Sequence, residues 1–183
     1  MEWTRGRLLV ALPALRDSNF NRTVLLMLQH DEQGAVGVIL NRPSGLDLVG
    51  NLAAWERVAA PPAEVFWGGP VAKGVAIGLG RSALVGPTDG WVPLFGDLGT
   101  VELGRRPDEL AVDVRHVRVF VGYSGWGSGQ LEGEIESGAW LVVDADPDDA
   151  DTGAPLDLWA AVLRRQGGTT AWLARFPDDP SLN

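Results

Sequence analysis

Glycine and proline interrupt this chain too often for long helices to carry the fold. Within 183 residues stand 24 glycines and 12 prolines, so turns are frequent and elements short, which favours strands with tight connections over a helix bundle. The apolar sequence falls into matching short runs. Leu8 to Leu12 is closed by Pro13, while Thr23 to Gln29 and Ala35 to Leu40 flank His30-Asp31-Glu32-Gln33-Gly34. That interval, with glycine where a turn needs positive φ, predicts a hairpin. The runs do not alternate polar with apolar, so both faces of these strands are expected to be covered.

Further along, Leu48, Leu52, Trp55 and Ala59 recur at helical spacing, predicting an amphipathic helix over 47–59 that stops before Pro61-Pro62. Short strands are expected at 65–67, 75–79, 91–95, 117–123 and 140–143. Pro107 to Leu110 suggests a helical turn, and 81–106 is otherwise the least regular stretch. Gly122-Tyr123-Ser124-Gly125-Trp126-Gly127-Ser128-Gly129 reads as a glycine-dense turn into a helix over 130–137, with Gly138 at its C′ position. An acidic, solvated loop covers 145–153. Leu156, Trp159, Val162 and Leu163 mark a helix ended by Gly167-Gly168, and a last short helix holds Trp172, Leu173 and Phe176. Without a βαβ rhythm, one domain over 1–183 with a mixed sheet covered by helices is expected.

Composition removes several function classes. A net charge of −9 repels a phosphate backbone, and the basic groups Arg105-Arg106, Arg115-His116-Arg118 and Arg164-Arg165 are small; nucleic acid is argued against as a partner. The absence of cysteine excludes disulfides, thiolate nucleophiles and cysteine-ligated metal. No apolar stretch approaches the roughly 20 residues of a membrane helix, and the start of the chain lacks a signal-peptide pattern, so a cytoplasmic protein without membrane contact is expected.

The chemical motifs fall short one by one. Ser124 follows a strand and precedes a helix, but a nucleophile elbow needs glycine two positions later, where Trp126 stands; both histidines, His30 and His116, also lie upstream of the serine. The run Asp144, Asp146, Asp148, Asp149, Asp151 lacks the glycine and closing glutamate of a calcium loop. Gly78-Leu79-Gly80 and Trp67-Gly68-Gly69-Pro70 are no nucleotide fingerprint. No cofactor and no metal are therefore expected. Glu132 and Glu136 share one helix face with Glu134 opposite, and a carboxylate there could act as a base only if buried. His30 reads as a satisfied histidine at a strand end. Arg22, Arg42 and Arg118 flank apolar runs, positions suited to an ion pair or to an anionic ligand.

The ensemble of motifs resembles the YqgE/AlgH proteins, the UPF0301 or DUF179 family. The resemblance is carried by Gly6-Arg7-Leu8-Leu9-Val10-Ala11-Leu12-Pro13, Asp17, Phe20, Arg22-Thr23-Val24, His30, and Gly34 through Pro43. Gly68-Gly69-Pro70-Val71, Gly122 through Ile135, Trp140, Trp159 and Asp179-Pro180-Ser181-Leu182-Asn183 complete it. It implies an α+β fold: a single domain with a mixed, strongly bent, bifurcated and pseudo-barrel-like sheet flanked by helices, in a bacterial cytosolic protein. It supplies no catalytic residues. Some members carry a transcriptional-regulator label, but no helix-turn-helix is recognisable here.

Three functions follow as expectations. The first is a binding or regulatory protein without chemistry of its own, taking a small molecule or a protein partner. Its site would join Asn41, Arg42, Gly68 and Gly69 to Tyr123, Trp126, Gln130 and Glu134, with backbone open to close approach at the glycines. The second is an enzyme with Glu134 or Glu132 as base and Arg42 or Tyr123 stabilising an anion. The third is a DNA-binding regulator, which the charge disfavours. The bland alternative for the aromatic turn is that its rings simply fill the core.

Overall fold

The apolar runs form strands covered on both faces. In a computed structural model, which describes residues 3–15 and 17–176, β1 (Arg7–Ala11), β2 (Val24–Asp31) and β3 (Gly34–Ile39) pair antiparallel in that order. Leu8, Val10, Leu26 and Val38 face one core and Leu9, Ala11, Leu25 and Ile39 face another. This is why the sequence does not alternate: successive residues point to opposite faces, and both faces are dry. Each fully buried leucine contributes about 1.5–3 kcal/mol by leaving water.

The remaining strands are β4 (Pro43–Leu46), β5 (Val65–Trp67), β6 (Val71–Arg81), β7 (Trp91–Phe95), β8 (Leu98–Val101), β9 (Arg115–Gly127) and β10 (Trp140–Asp144). All ten join one sheet in the order β10-β1-β2-β3-β9-β6-β8-β7, with β4 and β5 on a side branch. The branch point is β9. Its Ser124–Gly127 end pairs with β3, while Val119–Val121 pairs parallel with β5 on a sheet that is otherwise antiparallel. Gly122, at φ 72, lies between the two pairings and lets the strand turn there. The result is an α+β domain whose curled, half-barrel sheet carries a few helices.

Those helices are α1 (Gln130–Glu136), α2 (Pro147–Ala150), α3 (Leu158–Gln166) and α4 (Thr170–Leu173). α3 covers one face through Trp159, Val162 and Leu163. α1 covers the other, with Leu131 packed beside Trp126 and Trp140. A third core holds Trp55, Trp91, Val117 and Val119. No helix among the described residues is long and apolar enough to cross a membrane.

Several elements differ from their sequence reading. The glycine-dense "turn" is the second half of β9, and the turn proper is confined to Ser128-Gly129. The amphipathic helix of 47–59 is a 3-10 helix at Gly50–Val58, with Gly50 at φ 59 and no side-chain cap at Val49; Gly-Asn is a weak start for an α-helix. The strand expected at 75–79 extends over Val71–Arg81, and β8 was not foreseen. The acidic loop is not simply solvated. Asp146 and Asp149 form the capping box of α2, Arg165 bonds both oxygens of Asp149 at 2.8 Å, and Arg81 bonds Asp148 at 2.9 Å. The closing motif 179–183 lies outside the described residues.

Candidate functional site

The eight expected site residues separate into groups because β9 sends them to different places. Tyr123 and Trp126 are an odd number of residues apart on one strand, so they point to opposite faces. Tyr123 packs with the core of Phe66 and Phe120, and Trp126 with that of Leu9 and Met27. Trp126, Gln130 and Glu134 do meet one another. The indole Nε1 of Trp126 donates to Glu134 Oε2 at 2.9 Å, as does that of Trp140 at 2.8 Å, and Gln130 Nε2 donates to Glu134 Oε1 at 3.1 Å. Gln130 Oε1 in turn accepts from the Gly127 N–H at 3.1 Å. Glu134 thus holds α1 to the sheet, and two indole N–H groups that would otherwise be stranded in the core have an acceptor.

Asn41 is likewise engaged by backbone. Its Oδ1 accepts from the Val24 N–H at 2.9 Å and its Nδ2 donates to the Arg22 carbonyl at 2.8 Å. Gly68 and Gly69 face β9: a Cβ on Gly68 would lie 2.3 Å from the Gly122 oxygen, and one on Gly69 would lie 2.2 Å from the Tyr123 carbonyl carbon. These glycines permit strand contact, a role that needs no ligand. Ser124 is fully buried, and its hydroxyl donates to the Gly68 carbonyl at 3.4 Å.

Arg42 and Gly69 do share a pocket, with a volume of about 210 Å³, together with Asn19, Ile39, Trp67, Pro70 and Lys73. Arg42 precedes β4 and Trp67 ends β5, joined by a bond from the Trp67 N–H to the Arg42 carbonyl at 2.9 Å. Lys73 arrives by a different route. Between Val71↔Tyr123 and Ala76↔Val121, β6 spans five positions against two on β9, so the extra chain bulges outward, with Ala72 at φ 47. The bulge carries Lys73, the only lysine of the chain, to the pocket. Neither cation has a carboxylate within ion-pair distance among the described residues. Among the described residues the Arg42 guanidinium donates one hydrogen bond, to the Asn21 carbonyl at 3.4 Å. Burial lowers its pKa, opposed by Asp17. Trp67 is 40% exposed at the same site.

Lys73 and Asn19 carry no site expectation from the sequence, and Trp67 enters there only as part of the Trp67-Gly68-Gly69-Pro70 turn. The unique lysine and the tryptophan before Gly68-Gly69 were available signals, but the bulge that unites them is a matter of register. Elsewhere, His30 is satisfied as expected. Its Nδ1 accepts from the Thr4 N–H at 3.1 Å, and its Nε2 lies 3.3 Å from Glu132 Oε1. Glu132 and His30 line a separate cavity with Thr4, Arg7 and Glu136. Among the described residues no group of three or more histidines, aspartates or glutamates could hold a metal ion.

Comparison with known proteins accounts for the whole architecture. The AlgH-like family profile matches residues 8–171. A UPF0301 protein of Streptomyces coelicolor is 49% identical over 183 residues, covering 97% of this chain and 94% of its own length. One from Mycobacterium leprae is 42% identical, covering 97% of this chain and 90% of its own. The crystal structure of a Corynebacterium diphtheriae protein superposes with a TM-score of 0.87 at 31% identity, over 95% of this chain and 93% of the other. The solution structure of AlgH from Pseudomonas aeruginosa, also UPF0301, superposes at 0.69 with 30% identity, over 97% and 96%.

Proposed function

The chain belongs to the AlgH-like UPF0301 family, and from that premise we propose that it is a binding protein whose site is the pocket of Arg42, Trp67 and Lys73. Its ligand is a small anion with a flat apolar body, and any regulatory effect runs through occupancy of that pocket. One observation carries the reading: in a chain of net charge −9, two cations without ion-paired carboxylates among the described residues converge beside an exposed indole. A guanidinium matches a carboxylate in fork geometry, and an indole face offers stacking area. The alternative of a glutamate base loses its first candidate, because both oxygens of Glu134 already accept hydrogen bonds.

The test is titration of the ¹⁵N-labelled protein with 2-naphthoate. Saturable shifts of the Trp67 indole and Gly69 amide are expected, with affinity weakened about tenfold or more in R42A/K73A, a loss of at least one good charged contact. Absence of saturable binding at millimolar concentration, or unchanged affinity in the double variant, overturns the reading.

A further inference from the structure

A second group of cations stands at the other end of the β5–β9 pair. Trp67 lies beside Val121 at one end, and Ala59 bridges to Val117 at the other. Next to Ala59 is a cavity of about 310 Å³ lined by Arg57, Arg115 and His116 with the backbone stretch from Val58 to Pro61. Among the described residues no carboxylate lines it. Among the described residues neither Arg57 nor Arg115 has an ion-pair partner within 4 Å.

Two features of the fold build this place. The first is a β-bulge. Between the pairs Leu79↔Arg118 and Arg81↔Arg115, β9 advances three residues against two on β6. His116 lies in that interval at φ 53, a conformation that a side-chain-bearing residue adopts only when its surroundings impose it. The bulge turns the imidazole out of the ladder. Asp151 orients it: Nδ1 lies 3.2 Å from Oδ2, and since a carboxylate only accepts, Nδ1 carries the proton. Nε2 has no hydrogen-bond partner among the described residues, and the side chain is 68% exposed.

The second feature is Arg118, which is 2% exposed behind the Pro61 wall. Its Nη2 donates to the carbonyls of Pro61 at 2.6 Å and Thr152 at 2.9 Å, but its Nε and Nη1 are buried with no acceptor. Burial pushes its pKa down to about 10, so it remains charged at neutral pH. A buried guanidinium short of acceptors raises the potential in the adjoining cavity without occupying it. Of the surrounding acids, Asp97 and Asp148 pair with Arg81, Asp151 with Arg81 and His116, and Asp108 with Arg106, while Glu64 and Asp151 act on the Arg118 charge from a distance.

We propose that this cavity binds the phosphate group of a small phosphorylated molecule. Two guanidinium groups backed by the charge of a third, with an imidazole whose Nε2 donates once the ring is doubly protonated, suit a tetrahedral dianion better than a planar carboxylate. The net charge of −9 and the small size of the cavity, about 310 Å³, select a small molecule over a polyanion. The site is distinct from the Arg42 pocket and does not depend on that reading.

The experiment titrates the ¹⁵N-labelled full chain with inorganic phosphate and, separately, with glycerol 3-phosphate. Expected are saturable shifts at the amides of Ala60, Arg115 and His116, with affinity about tenfold weaker in R57A/R115A. Equal affinity for the two probes assigns free phosphate, and tighter binding of the ester assigns the carbon body as well; both support the site. H116G, which tolerates positive φ, is expected to fold and to bind more weakly, separating loss of the imidazole from loss of structure. No saturable shift below about 10 mM, a range weaker than ordinary ligand binding, overturns the proposal. So do shifts unaltered in R57A/R115A, or displacement of glycerol 3-phosphate by duplex DNA at equal phosphate concentration. Shifts confined to Trp67 and Gly69 would also overturn it, while leaving the Arg42 pocket standing.

Discussion

Trp126 and Trp140 bring their indole Nε1 groups to the same oxygen of Glu134, at 2.9 and 2.8 Å, with their rings 6.1 Å apart and nearly perpendicular. Both tryptophans are buried, so the carboxylate completes hydrogen bonding for one end of the core. Removing it in E134A strands two donors, and a loss of about 2–6 kcal/mol is expected in urea unfolding, given roughly 1–3 kcal/mol for each unsatisfied buried group. E134Q keeps an acceptor oxygen and should lose about half as much or less. Equal stability of E134A and wild type would contradict the role assigned to Glu134.

Gly69 and Gly74 stand five residues apart and should respond oppositely to alanine. A Cβ at Gly69 meets the Tyr123 backbone at 2.2 Å with φ at +156, whereas one at Gly74 meets nothing within 4 Å. G69A is expected to lose more than about 3 kcal/mol or fail to fold, and G74A to stay within about 0.5 kcal/mol. Thermal unfolding of the two variants side by side checks this.

The Thr4 N–H donates to His30 Nδ1, and a backbone amide cannot accept. His30 is therefore the neutral tautomer with its proton on Nε2, directed at Glu132. Long-range ¹H–¹⁵N correlation on the imidazole should report an unprotonated Nδ1 at neutral pH. A proton found on Nδ1 would contradict the arrangement.

Asp151 carries a pH dependence whose sign follows from its surroundings. Burial raises its pKa above the ordinary 3.8, against the opposing charges of Arg81 and His116 and with the help of Asp148. A carboxyl with a raised folded pKa binds more protons folded than unfolded, so its contribution to stability falls as pH rises from the unfolded value through the folded one. D151N removes that slope while keeping an acceptor for His116. The stability of D151N relative to wild type should therefore climb from pH 3 to neutrality; a flat difference would refute the shift.

Much of the sheet was legible because burial on two faces leaves a mark in sequence. The unbroken runs at Leu8 to Leu12 and Ala35 to Leu40 could satisfy no one-sided sheet, and they became the central strands. The hairpin at Gly34, the helix at α1 and the α3 positions Trp159, Val162 and Leu163 were readable on the same local grounds, whereas Leu156 lies exposed before α3 and Leu158 takes the buried place. The family was readable too, since its motifs are colinear along the chain.

The candidate site was legible in its parts but not in its grouping. Residue types alone marked Arg42, Gly69, Trp126 and Glu134 as unusual, and the lack of cysteine and of any triad or nucleotide motif was a property of the sequence itself. Which of them meet was decided by the register of β9 against β3 and β6. Reading Gly122 to Gly129 as a turn hid the two-residue period that sends Tyr123 and Trp126 to opposite cores. Lys73 and His116 reach their cavities through bulges on β6 and β9, and a bulge arises from a mismatch between two distant strands. Local sequence determines which faces must be buried; only the pairing of remote strands decides which side chains those faces bring together.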